Sequence, residues 1–195
     1  MIQANPFIEL SLWLANEREE GASNPNYAVL SSTSIEGLAR SRVVAIREIT
    51  DEAVLFFTQK STRKVRDLLH NPHVSLVFWL ELQQKEVIIE GNAIALTALE
   101  NKHYWEHYPR WAQIHFLSYA PISAQVISSK DTLEKKREEI ERKFVNQELP
   151  ISPEYCGFKI VPQRIVFYAY RTDELSDVWE YTLENKSWKI QRLSP

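Results

Sequence analysis

The sequence has few residues of the kinds that build covalent or glycine-rich sites. Of its 195 residues, one is cysteine and four are glycine. A single cysteine excludes an intramolecular disulfide and any multi-cysteine zinc or iron–sulfur site, and it favours a reducing compartment. The standard glycine-rich phosphate loops, GxGxxG and GxxxxGKS/T, are absent from the sequence. No apolar run is long enough to span a membrane and no basic segment precedes a hydrophobic one, so we expect a cytoplasmic, non-membrane protein.

The chain as a whole carries a slight excess of negative charge. The net charge of −3 argues against a general binder of nucleic acid or membrane surfaces, which needs cations across a whole face. Residues 58–66, TQKSTRKVR, are the exception, because they hold four cations and no carboxylate. Ser61 and Thr62 are good N-cap residues for the helical VRDLLH that follows. Since a helix N-terminus is already partly positive, cations there indicate a small anionic ligand.

The hydrophobic patterns predict a mainly β chain with appended helices, an α+β protein. Helices are expected at 6–20, just after Thr62, at 98–118 with a break at Pro109, and at 129–147. Strands are expected at 27–33, 42–49, 53–59, 73–80, 86–96, 164–170, 178–183 and 187–193. Gly91 inside a strand indicates a bulge or bend. So many consecutive short strands favour an antiparallel barrel over a doubly wound sheet.

We expect one domain, residues 1–195. It would begin with an N-terminal amphipathic helix and linker (1–25) and the first barrel strands (26–97). A helical insertion (98–150) and the C-terminal strands (151–195) would follow. The charged helix at 129–147 is expected to be a solvated face, with Glu138–Arg142 and Glu139–Lys143 ion pairs.

Four segments resemble the pyridoxine/pyridoxamine 5′-phosphate oxidase family. They are SRVVAIRE (41–48), LFFTQKSTRKVRDLLHNPHVSLVFW (55–79), YPRWAQI (108–114) and WKIQRLSP (188–195). The resemblance implies an FMN-binding split β-barrel of antiparallel Greek-key type. It also implies a homodimer with the flavin between subunits, and hydride transfer to the flavin followed by reoxidation with oxygen.

The resemblance names FMN as the cofactor and its phosphate as the anion beside residues 58–66. It implies that Arg42, Thr58, Arg63 and Lys64 bind this phosphate, as guanidinium and ammonium groups at a helix N-terminus can. The whole set implied for the cofactor is Arg42, Val43, Arg47, Phe57, Thr58, Arg63, Lys64, Glu86 and Tyr168. Glu86 stands where the family has a glutamine, and Tyr168 where it has a tryptophan.

The residues implied for the substrate depart from the family. The expected substrate set is Arg47, Tyr104, Tyr108 and Arg110, of which Tyr104 matches the family residue and Arg47 replaces a lysine. Tyr108 and Ala112 replace an arginine and a serine that hold the substrate phosphate, and Arg110 is the nearby cation. Towards the C-terminus, Glu174, Ser176 and Val178 replace an Arg-x-His-x-Arg run, and Ala120-Pro121 fall near an expected Gln-Ser pair. The expected substrate is a phosphorylated pyridine or another small aromatic molecule, and no catalytic residue is assigned.

Two other interpretations stay open at this stage. A noncatalytic split-barrel protein could keep the fold and dimer while losing the flavin ring contacts, which the residues at 86, 168 and 178 favour. HYWEH (103–107) has the His-x-x-Glu-His spacing of some zinc peptidases, although Pro109 follows almost at once and no metal is expected. His115 could replace the family histidine, and Cys156 is expected to be a small packed residue.

Overall fold

The computed structural model describes residues 3–195, with eight strands and five helices in that range. The strands are β1 Tyr27–Thr33, β2 Ala39–Ile49, β3 Val54–Gln59, β4 His73–Leu80, β5 Lys85–Ala95, β6 Tyr155–Ala169, β7 Asp177–Glu184 and β8 Ser187–Leu193. The helices are α1 Pro6–Glu19, α2 Arg63–His70, α3 Ala98–Glu106, α4 Arg110–Tyr119 and α5 Lys130–Lys143.

The strands form a closed antiparallel barrel with an extension. Their order is β3-β2-β1-β4-β5-β6-β7-β8, and β3 also pairs with β6, so the first six strands in this order close on themselves. The predicted mainly β split-barrel fold is confirmed.

The register of β1 and β2 decides which polar side chains face inwards. Side chains alternate between the two faces of a strand, and in β1 the buried positions include Leu30 and Ser32. Leu30 lies opposite Arg42, and Ser32 lies opposite Arg40. The pairing therefore sets two arginines on the same face as a buried serine.

The structure tests two predictions around Gly91. Gly91 pairs in register with Val74, so the predicted bulge is absent from the β4–β5 pairing. A Cβ atom on Gly91 would lie 2.2 Å from the Val161 carbonyl oxygen and 2.7 Å from Pro162 Cα, which shows that the glycine permits a close backbone approach. Strand β6 begins at Tyr155, well before the predicted start at 164, because Gly157 and Pro162 look like strand breakers in the sequence.

The helices follow the predictions in outline. Pro109 separates α3 from α4, as expected. Helix α5 has no buried residue, so its prediction as a solvated helix is confirmed, but it ends at Lys143. The two ion pairs predicted within it are absent from the described residues. Its side chains instead pair as Lys130–Glu134, Arg137–Glu134 and Arg137–Glu141.

The chain divides into two compact units. The first unit comprises the described part of Met1–Phe56 together with Asp67–Ile94 and Phe158–Pro195, and the second comprises Phe57–Arg66 and Ala95–Gly157. In the first unit, Trp13 of α1 packs edge-on against Phe167 at 5.0 Å between ring centroids. The second unit has its own core, formed by Trp105, Ile114, Phe116, Ala120, Leu149 and Tyr155. The expectation of a single domain stays a prediction.

Candidate functional site

In the first unit, Arg42 lies in a network of hydrogen bonds. Its Nη1 donates to Ser32 Oγ at 2.7 Å and to the Leu30 carbonyl oxygen at 3.3 Å. Its Nη2 lies 3.6 Å from Asp67 Oδ2, and Ser32 Oγ donates to that same oxygen at 3.3 Å. The predicted cofactor residue is therefore held by three groups of its own unit.

The charges around Arg42 do not cancel within the buried part of this network. The Asp67 carboxylate also accepts from Arg40 Nη1 at 3.0 Å, so two guanidinium groups share one buried carboxylate. Burial has the largest effect on the Arg42 guanidinium and lowers its pKa. The Asp67 carboxylate raises this pKa, and the like charge of Arg40 lowers it. Two guanidinium groups that share one carboxylate can bind a further anion.

Glu86 and Tyr168 meet through a third residue of the first unit. Tyr170 donates its phenol to Glu86 Oε2 at 3.4 Å and stacks on Tyr168 with ring centroids 4.2 Å apart. Trp79 packs edge-on against Tyr170 and is about half exposed. Burial and the nearby Glu86 raise the pKa of Tyr170, so its phenol stays a donor. The result is an aromatic surface with a carboxylate at its edge.

The C-terminal positions that depart from the family, 174, 176 and 178, have partners within the first unit. Glu174 pairs with Arg171 at 3.2 Å, and Ser176 Oγ accepts from the Arg171 backbone N–H at 3.1 Å. Val178 is buried and lies opposite Tyr168 in the β6–β7 pairing. The Glu174 charge is thus partly balanced within its own turn.

Two further predicted residues of the first unit lie on the exposed side of β2. Val43 is 62% exposed and lies opposite Val29, which is 39% exposed. Arg47 is exposed at the irregularity between Ile46 and Glu48 in the pairing of β2 with β3.

In the second unit, Thr58 and Lys64 contact one another directly. The Lys64 ammonium donates to Thr58 Oγ1 at 2.8 Å, and Arg63 is exposed at the first residue of α2. The neighbouring Gln59 is 2% exposed, and its Nε2 has no hydrogen-bond partner among the described residues. Two cations, a hydroxyl and a buried amide nitrogen without a described partner therefore belong to one short segment.

A carboxylate of the second unit also binds this segment, although no local pattern in the sequence indicates it. Glu154 Oε2 accepts from the Ser61 backbone N–H at 3.0 Å, and the Glu154 carbonyl oxygen accepts from the Lys60 N–H at 2.9 Å. Part of the positive charge of residues 58–66 is thus balanced from within the protein.

Aromatic rings surround the other predicted residues of the second unit. Phe57 lies 5.0 Å from Tyr104 and stacks on Tyr155 at 5.1 Å between centroids. Tyr108 packs beside Tyr155 at 6.0 Å and near Trp105 at 6.4 Å. Phenol rings, which are neutral, occupy this region.

Arg110 has a structural partner instead of a free guanidinium. Its Nη1 donates to the Gln147 carbonyl oxygen at 2.9 Å, and its Nη2 donates to that of Phe144 at 2.6 Å. Ala112, on the same helix, is buried. Binding of a substrate phosphate by Arg110 would have to compete with both of these hydrogen bonds.

The HYWEH pattern does not form a metal centre in the part of the chain that the structure describes. The His103 and His107 rings are 4.5 Å apart, but no group of three or more His, Cys, Asp or Glu side chains suited to a metal occurs within residues 3–195. Glu106 pairs with Lys102 at 3.8 Å. His115 is exposed beside Trp111, at 5.5 Å between rings.

Cys156 is buried in the second unit, as predicted for a packed residue. Its Sγ lies 3.5 Å from the Thr58 carbonyl oxygen, and burial raises the pKa of the thiol to about 11. The thiol is therefore neutral at physiological pH and a poor nucleophile.

The sequence does not predict four residues that contact the candidate cofactor residues, their segment or one another: Ser32, Arg40, Asp67 and Glu154. Asp67 had one visible signal, because it is the first carboxylate after the cations of residues 58–66. The other three gave no signal, since their contacts join segments that are far apart along the chain.

The sequence model described as pyridoxamine 5′-phosphate oxidase matches residues 14–165. A second model, described as the pyridoxine 5′-phosphate oxidase C-terminal dimerisation region, matches residues 155–195. The chain belongs to the pyridoxamine 5′-phosphate oxidase family. The resemblance seen in the sequence is confirmed, and FMN is the cofactor that this family membership supports.

Relatives in the oxidase family cover the whole chain. The pyridoxine/pyridoxamine 5′-phosphate oxidase of Acaryochloris marina is 30% identical over 194 residues, which cover 100% of this chain and 88% of the relative. That of Rippkaea orientalis is 33% identical over 196 residues, with coverage of 100% and 91%.

Two solved structures share the fold. PhzG from Burkholderia lata, in complex with tetrahydrophenazine-1-carboxylic acid, has a TM-score of 0.87 at 24% identity, covering 99% of this chain and 94% of its own. A pyridoxamine 5′-phosphate oxidase-related, FMN-binding protein from Nostoc punctiforme has a TM-score of 0.81 at 13% identity, with 100% of both chains covered.

Among the described residues, no helix has the length and apolar character needed to cross a membrane.

Proposed function

We propose that this protein is an FMN-dependent oxidoreductase whose substrate is a small aromatic molecule without the phosphate group of pyridoxamine 5′-phosphate. The observation that carries the proposal is that Arg110, the cation expected to bind the substrate, donates its hydrogen bonds to backbone carbonyl groups. Arg110 donates to the Phe144 and Gln147 carbonyl oxygens, while neutral Tyr108 and Ala112 occupy the positions matched to phosphate-binding residues.

The residues expected for the cofactor fit a phosphate ester. In one unit, the partly buried Arg42 guanidinium shares the Asp67 carboxylate with Arg40, which favours a second anion. In the other, Lys64 and Thr58 are in contact and Arg63 is exposed at the start of α2. Guanidinium, ammonium and hydroxyl groups are the donors that phosphate prefers in proteins. Membership of the family and the FMN-binding relative from Nostoc punctiforme support the same cofactor.

The residues expected for the substrate fit a phosphate poorly. Glu174 brings a carboxylate to a position matched to an arginine, and its partner Arg171 balances that charge without adding a net cation. The Burkholderia lata relative was solved with tetrahydrophenazine-1-carboxylic acid, a ligand without a phosphate, so the same fold accommodates such a molecule there. A neutral region rich in phenols favours planar aromatic ligands through stacking.

In this proposal the protein binds and orients, while the cofactor supplies the redox chemistry. The chemistry that bound FMN would supply is acceptance of a hydride from the substrate and reoxidation by oxygen. Arg42 in the first unit, and Thr58, Arg63 and Lys64 in the second, are the candidate donors of charge-assisted hydrogen bonds to the phosphate. Phe57 and Tyr104, whose ring centroids lie 5.0 Å apart, would limit the access of water to a substrate bound beside them.

Anaerobic spectroscopy tests the proposal. The purified protein is expected to bind FMN with a yellow absorption spectrum, and 5,10-dihydrophenazine-type reductants without phosphate should bleach it in the absence of oxygen. Pyridoxamine 5′-phosphate should bleach it much more slowly. Ordinary turnover of pyridoxamine 5′-phosphate would refute the substrate part, and failure to take up FMN would refute the cofactor part.

A noncatalytic flavin-binding or flavin-free protein is the second candidate. Buried Val178, opposite Tyr168, favours it, because the family has a cation at this position. The Glu86 carboxylate also replaces a neutral amide. Such a protein would not be bleached by any reductant of the aromatic class in the same anaerobic experiment.

We further propose a homodimer. A C-terminal dimerisation region matches residues 155–195, and the partly exposed cross-strand pair Val29 and Val43 leaves apolar surface on the barrel. Light scattering during gel filtration should give twice the mass of the chain, whereas a monomeric mass would contradict this assembly.

A further inference from the structure

Ser32 links the two charged groups of the Arg42 network. A guanidinium only donates hydrogen bonds, so Ser32 Oγ accepts from Arg42 Nη1 at 2.7 Å. The serine's own hydrogen is then directed to Asp67 Oδ2 at 3.3 Å. Asp67 Oδ2 lies 3.6 Å from Arg42 Nη2, which completes a ring of contacts. One hydroxyl thus joins the cation to its carboxylate.

The groups that orient Arg42 are more buried than Arg42 itself. Ser32 and Asp67 are each 4% exposed, whereas the Arg42 side chain is 21% exposed. Ser32 belongs to β1, where it pairs with Arg40 of β2, and the preceding residue, Ser31, also pairs with Ser75 of β4. The strand therefore fixes the hydroxyl, and the hydroxyl fixes one edge of the guanidinium while leaving part of it accessible.

The charge of the network points to an anionic ligand at that accessible part. Arg40 and Arg42 both contact Asp67, and a second carboxylate, Glu36, lies 3.7 Å from Arg40 with its side chain 61% exposed. An exposed ion pair of this length is weak and is screened by salt. The one buried carboxylate, Asp67, thus balances only one of the two partly exposed guanidinium charges.

We propose that Ser32, together with Asp67, is a positioning residue that fixes the Arg42 guanidinium for the phosphate group of FMN. Neither residue contacts the cofactor in this role, and both act through Arg42. The inference rests on the proposed function, because it takes the FMN phosphate as the anion. Ser32 is not among the residues that the family resemblance implies for the cofactor.

Two ligands that differ only in the phosphate test this role. The full-length protein is freed of flavin, and dissociation constants for FMN and riboflavin are measured by quenching of flavin fluorescence. Ser32→Ala should weaken FMN binding about five- to tenfold, since a hydrogen bond to a charged group is lost, and should leave riboflavin binding unchanged. Ser32→Thr keeps the hydroxyl and should restore FMN binding.

Ser31→Ala is the matched control. Ser31 is the neighbouring residue on the opposite face of β1, and its hydroxyl lies 2.9 Å from that of Ser41. This variant should bind both ligands as the unchanged protein does. Thermal unfolding of all variants shows whether each one folds.

The outcomes separate this inference from the proposed function. Equal weakening of FMN and riboflavin by Ser32→Ala would make the serine merely structural, and unchanged FMN binding would also overturn its role. Failure of Ser32→Thr to recover FMN affinity would count against a hydroxyl-specific effect. If the unchanged protein bound no FMN, the proposed function and this inference would fall together.

Discussion

The Lys64 ammonium donates a hydrogen bond to the Thr58 hydroxyl over 2.8 Å, from the first turn of α2 to the end of β3. An ammonium has no acceptor, so the Thr58 hydrogen is directed to another group. The cation and the hydroxyl thus form a preorganised pair at the start of a helix, where partial positive charge already favours an anion.

The first prediction concerns this pair. Lys64→Met should raise the dissociation constant for FMN by about tenfold or more, because a charge-assisted contact to the phosphate is lost. Riboflavin binding should not change. Arg66→Gln, an exposed cation on the same helix, is the control and should bind FMN normally. A similar loss in both variants would indicate a general effect of net charge.

The second prediction concerns Arg110. Arg110→Gln should lower the free energy of unfolding by about 1–2 kcal/mol, because it removes the donors to the Phe144 and Gln147 carbonyl oxygens. Chemical denaturation measures this loss, with Arg142→Gln on exposed α5 as the control. The rate of anaerobic flavin reduction should stay the same. A large rise in KM without loss of stability would instead assign Arg110 to the substrate.

The third prediction concerns the close approach at Gly91. Gly91→Ala should destabilise the protein by about 2–4 kcal/mol, since the new methyl group would meet backbone atoms of Val161 and Pro162 that cannot rotate away. Asn92→Ala, next to it, should have little effect, because the buried Asn92 Oδ1 has no hydrogen-bond partner among the described residues. Differential scanning calorimetry compares the two variants, and equal melting temperatures would contradict the expectation.

The fourth prediction concerns the pH dependence caused by Cys156. Burial raises the pKa of its thiol from 9.0 to about 11, so the unfolded chain loses this proton before the folded protein does. The stabilisation is complete below about pH 9 and is lost as the pH rises towards 11. Cys156→Ala should therefore show a smaller decrease in unfolding free energy between pH 8 and pH 10.5. Native Cys156 should also resist iodoacetamide at pH 8, and rapid alkylation there would show that the thiol is accessible.

The fifth prediction concerns Glu86 and depends on its proposed place at the flavin ring. Glu86→Gln removes a negative charge and should make the reduction potential of bound FMN more positive, because reduction adds negative charge to the ring. Glu90→Gln on the same strand, where Glu90 pairs with Arg164 at 3.1 Å, is the control. Spectroelectrochemical titration measures both, and an unchanged potential in Glu86→Gln would separate this residue from the flavin.

Local patterns were sufficient to predict most elements of the fold. Pro109 cannot continue a helix from α3, so the break between α3 and α4 follows from one residue. The start of β6 was missed for the opposite reason, because Gly157 and Pro162 disfavour strands locally and tertiary packing overrides them. In the same way, local i,i+4 spacing suggested the wrong ion pairs on α5, where Arg137 takes both partners.

The sequence alone determined the class of fold, the concentration of cations at residues 58–66, and through its resemblance the family and its cofactor. These follow from periodicity, composition and motif order, which are properties of neighbouring residues. Only the tertiary structure decided which carboxylate balances which cation. Asp67 pairs with Arg40 and Arg42, and Glu154 accepts a hydrogen bond from the Ser61 backbone N–H. Such contacts depend on strand register and on the packing of distant segments, because an electrostatic interaction of this kind is set by a distance in space and not along the chain.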